Sequence, residues 1–552
     1  MKFKVLFIFG ILYLGNVHYG FTQQLIPKPL HTENREGSYD LLTVKTLSYS
    51  KAVEKEVNFF LDVMQKEFQW NTKSIRKTTT PVKGDFNVQI DTTLLPKMGK
   101  EGYELEINQS NLQLMAASSA GIFYGLQSIR QLLLEKEDHK ATKKSALTLP
   151  MVKILDKPRL EWRGFMLDVS RHFFGKETIL KLLDEMAFLK MNVFHWHLTD
   201  DQGWRIPVKK YPLLTDVASK RDSSQTDVKE HADGTKEFKF DGKPHQGYYS
   251  YQDIQEILAF AADRHITVMP EIDMPSHNQA AMAAYPWLST TKKQTTVPTV
   301  FFGEPYHRNP AEINVADPRV IRFFEEVIDE VAMLFPGQTI HLGGDEVWFD
   351  LWKQSDEIND FIKSKGFSTY ADLQVWFSTK MANYTNSKGK RVMVWNDVLG
   401  GHLAGQDPSH QVTISIRPHQ STIIGFWRGD IELMNMAAEK GYEIINGENN
   451  YTYFNFDEKA LTLAKVYQFN PIPEQIKPQH QSNIKGVTCH LWTEQIATTE
   501  KLYQHVFPRI AAMAEVGWTE ENNKNFELFK NNLLPLTYRW NTLGITFGSL
   551  MK

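Results

Sequence analysis

From about residue 158 onward the chain repeats one pattern: a short apolar run of strand length, a turn, then a longer segment with helical spacing. The apolar runs fall at 164–169, 192–198, 266–272, 339–342, 391–395, 412–416, 442–445 and 486–492. Runs of this length and character predict parallel strands buried on both faces. Between many of them lie amphipathic helices. Ile179, Leu182, Leu183 and Met186 share one face, and Ile254, Ile257, Leu258 and Ala261 share another, with Ser250 and Asp253 placed as a capping pair. Asp317-Pro318 offers an N-cap and a first-turn proline to a helix that turns Val320, Phe323, Phe324, Val327 and Val331 inward. Eight strands alternating with helices predict a (β/α)8 TIM barrel over residues 158–552, with its site at the carboxyl ends of the strands.

Residues 23–157 read as a smaller α/β domain. Val53, Val57, Leu61 and Met64 give helical spacing within 51–68, residues 103–114 alternate as two strands around a polar turn at 108–111, and a second helix is predicted over 119–134. The charged stretch 135–144 reads as a solvated connection. Residues 1–22 open with Lys2 and Lys4 and continue in an apolar run from Val5 to Leu14. That run is too short to cross a bilayer as a helix, so it predicts a signal peptide cleaved near Gly20-Phe21-Thr22. Export leaves periplasm and exterior both open, and no later run is long enough to span a membrane.

Composition narrows the class of partner. At 552 residues, 42% hydrophobic and 23% charged, the chain has the balance of a soluble protein of more than one domain. Its net charge of -3 with mixed signs gives no footprint for nucleic acid or for an anionic surface, which points to neutral partners. Cys489 is the single cysteine, so no internal disulfide can form and stability rests on the core.

The chemistry concentrates where the strands end. The fourth run breaks at Gly343-Gly344 and delivers Asp345 and Glu346 into the turn. A solvated turn could carry two acids by chance, but the other strand ends add Asp168, Arg171 and His172; Asp200 and Asp201; Glu271, Asp273 and His277; Trp395, Asn396 and Asp397; Arg417; Tyr451 and Tyr453; and Trp492 and Glu494. Aromatic faces with carboxylates and an arginine suit a neutral sugar, whose C–H faces stack on rings and whose hydroxyls take charged groups. Trp395, Trp427 and Trp492 are the tryptophans placed for this. Glycosidases normally set two carboxyls on opposite sides of the scissile bond. Asp345 and Glu346 are chain neighbours, so one would protonate the leaving oxygen while the other acts locally on the sugar.

Arg163-Gly-x-x-Leu-Asp-x-x-Arg171-His172, His195-Trp-His-Leu-Thr-Asp-Asp, Pro270-Glu-Ile-Asp-Met-Pro-Ser-His277, His341-Leu-Gly-Gly-Asp-Glu346 and Leu491-Trp-Thr-Glu494 together resemble family 20 glycoside hydrolases, the β-N-acetylhexosaminidases. The resemblance runs from about Leu25 to the C-terminus. It implies an exo-acting enzyme on oligosaccharides or glycoconjugates ending in β-linked GlcNAc or GalNAc, and retention through an oxazolinium ion formed by the substrate's own acetamide. Glu346 would be the general acid and then base, Asp345 would orient the acetamide, and Tyr453 would bond its oxygen, with Tyr451 the alternative. Trp395, Trp427 and Trp492 would wall the site. Arg163, Asp200 and Glu494 would hold hydroxyls, and Asp273 with His277 would form the Asp–His pair beside the acid. Neither cofactor nor metal is implied. Ser276 stands where the family commonly has glycine, and Asn455 stands where its pattern has a carboxylate.

Two rival readings remain at this stage. His195-Trp-His197 can present two imidazoles on one side of a strand as a metal pair, with His277 and His341 as further ligands. A non-catalytic sugar-binding protein on the same fold is the other. Oligomeric state is not legible. The segments 222–248 and 290–310 read as long loops on the aglycone side.

Overall fold

Eight parallel strands close on themselves in the computed structural model, which describes residues 25–80, 85–134, 147–231, 235–301, 312–402, 411–412 and 414–550. In chain order the barrel strands are Trp162–Asp168, Val193–His197, Thr267–Glu271, Thr339–His341, Arg391–Trp395, Ile423–Phe426, Ile444–Asn446 and Ile484–Leu491, called first to eighth below. The fold is thus a TIM barrel preceded by a small α/β domain. The signal peptide and the connection at 135–144 lie outside the described residues.

Seven of the eight predicted runs coincide with barrel strands, and the sixth is a correction. Residues 412 and 414–416 do not enter the barrel: Val412 pairs antiparallel with Gly401, while Ile424 takes the sixth place beside Val394. The distinction is physical. Val412-Thr-Ile-Ser-Ile alternates apolar and polar, the mark of a strand with one wet face, whereas Ile423-Ile-Gly-Phe is buried throughout as a parallel barrel strand requires. Arg417 therefore leaves the set of strand ends, and Trp427 follows the sixth strand directly. The segment 222–248, expected as loop, carries a two-stranded ribbon, Gln225–Glu230 against Lys236–Phe240. Residues 302–310 of the second expected loop lie outside the described residues.

The helices form where the pattern placed them. Ser250 and Asp253 make a reciprocal capping box on Tyr251–Ala262, and the Asp317 carboxylate caps Pro318–Leu334 with the predicted apolar face buried. Ahead of the barrel, a seven-stranded mixed sheet runs in the order His31–Asp40, Thr148–Asp156, Tyr103–Ile107, Leu112–Ala116, Phe86–Ile90, Thr46–Tyr49, Arg76–Thr78. It docks at the amino-terminal end of the barrel. There Lys190 reaches Asp156 at 2.8 Å, and Trp518 donates to the other oxygen of that carboxylate at 2.8 Å.

The barrel interior is filled in layers, as its closure demands. An apolar cluster of Val193, Met269, Met393, Ile423 and Ile445 fills one level. A polar set gathers around Glu271, and at the carboxyl ends Met166, Trp395, Trp427, Tyr453 and Trp492 form an aromatic floor. The site rests on that floor.

Candidate active site

The turn after the fourth strand is built to approach its neighbours closely. Gly343 and Gly344 have φ of 64° and 94°, and a Cβ on Gly343 would lie 1.5 Å from Oδ1 of Asp273. Only glycine fits there. Glu346 itself has φ of 50°, a left-handed conformation that a glutamate adopts only when its surroundings impose it. Ser276 Oγ donates to the Asp345 carbonyl at 2.5 Å, Gln374 Nε2 donates to the Gly344 carbonyl at 2.7 Å, and the Glu346 N–H donates to Asp397 Oδ1 at 3.2 Å. The turn thereby holds the two acids at different depths. The Asp345 side chain is 12% exposed and that of Glu346 31%.

His277 stands beside both. Its Nε2 is 3.8 Å from Asp345 Oδ2 and 3.8 Å from Glu346 Oε2, while Nδ1 faces Asp201 Oδ2 at 3.1 Å and Asp200 Oδ1 at 3.4 Å. Burial pushes the Asp345 carboxyl up to about 8; His277 opposes this, and Asp397, Glu346 and Glu271 add to it. Oδ1 of Asp345 has no hydrogen-bond partner.

The aromatic wall is continuous. Trp427 and Tyr453 lie nearly parallel with centroids 6.0 Å apart, Trp492 is 6.1 Å from Tyr453, and Trp395 is 6.3 Å from Trp492. Two indoles are anchored by acids: Trp427 donates to Asp397 at 2.8 Å and Trp395 to Glu271 at 2.9 Å. Tyr451 stacks on Phe469, outside this wall, so the tyrosine beside the acids is Tyr453. Its phenol is pushed well above the usual range by burial and stays protonated.

Arg171 lies 5.1 Å over the Trp492 ring. It reaches Asp200 at 2.8 Å, Asp168 at 3.4 Å and Glu494 at 3.8 Å, and donates to Gln202 at 3.2 Å. Beneath the wall, the fully buried Glu271 is bonded to His195 at 2.7 Å, His197 at 2.8 Å and Trp395, with His341 Nδ1 at 2.9 Å. His197 continues to Asp200 at 2.9 Å. Burial opposes charge on His197, yet Glu271 and Asp200 together raise it well above an ordinary imidazole. His195, which lacks the second carboxylate, is pushed down to about 4 by burial. Three acid and imidazole groupings here, His195–Glu271–His341, His197–Asp200–Asp273 and Asp200–Asp201–His277, have the compactness of a cation site. In each, an imidazole nitrogen already faces a carboxylate within hydrogen-bond distance.

The model of "Glycosyl hydrolase family 20, catalytic domain" matches residues 160–521, and that of "Glycosyl hydrolase family 20, domain 2" matches residues 22–157. The chain belongs to glycosyl hydrolase family 20. A β-hexosaminidase of Porphyromonas gingivalis is 31% identical over 95% of this chain, which spans 64% of that relative's length. Among solved structures, the β-N-acetylhexosaminidase of Bacteroides fragilis is 30% identical with a TM-score of 0.77, covering 96% of this chain and 97% of its own. The exo-β-N-acetylglucosaminidase of Vibrio harveyi, solved with N-acetylglucosamine, is 25% identical with a TM-score of 0.77, covering 96% of this chain and 79% of its own.

In this family 20 chain the geometry brings together Asp345, Glu346, His277, Tyr453, Trp395, Trp427, Trp492 and Glu494, and corrects three assignments. Arg163 is not at the site. It lies at the amino end of the first strand, bonded to Glu101 at 2.9 Å and stacked 5.0 Å over Trp518, where it ties the two domains together. Arg171, at the carboxyl end of that strand, is the arginine beside Glu494; position along the strand was the signal that distinguishes the two. The carboxylate facing His277 Nδ1 is Asp201, whereas Asp273 sits under Gly343, 3.7 Å from His197. Asp200 is taken up by Arg171, His197 and the Asp201 N–H, so it fixes the arginine rather than offering itself to a hydroxyl. Ser276 replaces glycine without conflict because its hydroxyl bonds the Asp345 carbonyl. Sequence reasoning placed Asp397 at a strand end without giving it a role; it contacts both an acid and a wall residue.

Proposed function

We propose that this glycoside hydrolase removes terminal, non-reducing β-linked N-acetylhexosamine from oligosaccharides or glycoconjugates, with retention, using the substrate's acetamide as nucleophile. The observation that carries the reading is the pairing of Asp345 and Glu346, adjacent in the chain and unequal in depth, against the wall of Trp395, Trp427, Tyr453 and Trp492. The sugar would stack on the wall, with Arg171 and Glu494 at its hydroxyls.

Glu346, the more accessible acid, protonates the leaving oxygen and then activates water. His277, within 3.8 Å of both acids and backed by Asp201, orients Glu346 and provides a route for proton charge. Asp345 accepts the acetamide N–H while Tyr453 donates to the carbonyl oxygen that attacks C1. Burial makes the Asp345 anion unfavourable in the empty site. The positive charge that develops on the acetamide is the partner it lacks, so stabilisation grows toward the transition state rather than in the bound substrate. Among the described carboxylates, Glu271 and Asp200 are each bonded to cationic or N–H groups, which ties both up in the protein's own network.

Comparing aryl β-glycosides of GlcNAc, GalNAc and glucose tests the reading. Turnover of the acetamido sugars and none of the glucoside is the expected result; efficient glucoside hydrolysis, or no turnover at all, would contradict it. We also propose export through the basic and apolar N-terminus. Amino-terminal sequencing of protein recovered from the producing cell should find a chain beginning near residue 22, and an intact Met1 would refute it.

A further inference from the structure

Asp397 is buried, with 2% of its surface exposed, in the turn that follows the fifth strand. Its two oxygens have different duties. Oδ1 accepts the backbone N–H of Glu346 at 3.2 Å, and Oδ2 accepts the indole N–H of Trp427 at 2.8 Å. Its neighbours reinforce the same two attachments. The Trp395 N–H donates to the Gly343 carbonyl at 2.9 Å, and the Asn396 side chain accepts the Trp427 N–H at 2.9 Å while donating to the Arg428 carbonyl at 2.9 Å. Three successive residues thus join the turn carrying the acids to the strand end carrying one face of the wall.

We propose that Asp397 is a positioning residue that sets the general acid in register with the acetamide pocket. This rests on the reading of Glu346 as the acid and Trp427 as part of the pocket wall. The chemistry explains why one group should touch both. Attack by the acetamide on C1 and protonation of the leaving oxygen occur in the same step from opposite sides of the anomeric carbon, so an error between the two is as damaging as an error in either. Glu346 has a left-handed backbone that its own residue type disfavours, and its N–H is the handle by which that conformation is held. A carboxylate is the side chain suited to this post, because both incoming groups are donors and it accepts on both oxygens. Burial lifts its pKa to about 6, which leaves it ionised at neutral pH.

A double-mutant cycle between Asp397 and Trp427 in the full chain tests the proposal, with kcat and KM measured on an aryl and on an alkyl β-GlcNAc glycoside. In Asp397→Asn the new amide must turn its NH2 toward one of two donors. The expected loss is about tenfold or more in kcat, with a small change in KM, since a buried donor is left unpaired in a site that must be held closely. In Trp427→Phe the competing indole N–H is gone, so the amide can give its oxygen to Glu346. Asp397→Asn in that background should therefore cost less than about threefold. Equal losses in both backgrounds, or a loss confined to KM, would overturn the proposal. If Asp397→Asn alone does not fold, the comparison of Trp427→Phe with the double variant decides by the same criterion. Failure of the underlying reading would look different: Glu346→Gln would then lose equally on aryl and alkyl substrates, whatever the cycle gives.

Discussion

Asp345 and Glu346 share a peptide bond, yet they sit at different depths, and the proposed roles follow that difference. Glu346→Gln should fold normally and lose most activity on substrates with poor leaving groups, because an amide cannot deliver the proton they need. Activated aryl glycosides need it less and should be spared. Equal losses across a leaving-group series would remove Glu346 from the acid role. Asp345 makes a prediction about stability as well as rate. Its folded carboxyl lies at about 8, against about 3.9 in an unfolded chain. Folding takes up a proton between those values, so this group's contribution is fully present below about 4 and is lost as pH rises toward about 8. Asp345→Asn should therefore raise Tm relative to wild type at pH 7 and match it near pH 4, while kcat falls about ten- to a few-hundred-fold. A variant less stable than wild type at pH 7 would show an Asp345 that is ionised and paired in the empty site.

At the scale of elements, the turn after the fourth strand is where backbone and chemistry constrain each other. Gly343→Ala places a methyl group against Asp273, on a backbone that disfavours any side chain. It should lower both Tm and kcat; a variant with wild-type kcat and Tm would mean the turn can relax without cost. Much of this element was legible, because a diglycine that ends an apolar run and precedes two acids has few structural uses. The sixth strand was misread for a reason visible in the chain. Val412, Ile414 and Ile416 alternate with polar residues, and treating any short apolar run as a barrel strand ignores that difference. The hydrogen-bond partners at the site were not legible at all. Which acid faces His277 depends on how the second and third strands lie side by side, and no linear pattern distinguishes Asp201 from Asp273.

For the whole molecule, the order of the two domains and the closed barrel followed from periodicity, while their docking did not. Arg163 has a motif's position and an arginine's chemistry, but it stands at the end of the strand remote from the site and bonds Glu101 of the smaller domain. Removing one partner of a buried ion pair costs about 3–5 kcal/mol. Arg163→Leu should therefore lower Tm and leave KM for a GlcNAc glycoside unchanged, whereas Arg171→Leu should raise KM or abolish turnover. An Arg163 variant of normal Tm and raised KM would return this residue to the site.

In the proposed mechanism the nucleophile belongs to the substrate. This is tested most directly by kcat/KM on aryl β-glycosides whose acetyl group carries none, one, two or three fluorines. Each fluorine withdraws electron density from the carbonyl oxygen while changing its shape little, so attack on C1 should slow with every addition. A stepwise fall across the series and an essentially inert glucoside are expected. A flat series would contradict it and move the search for a nucleophile to a carboxylate of the protein.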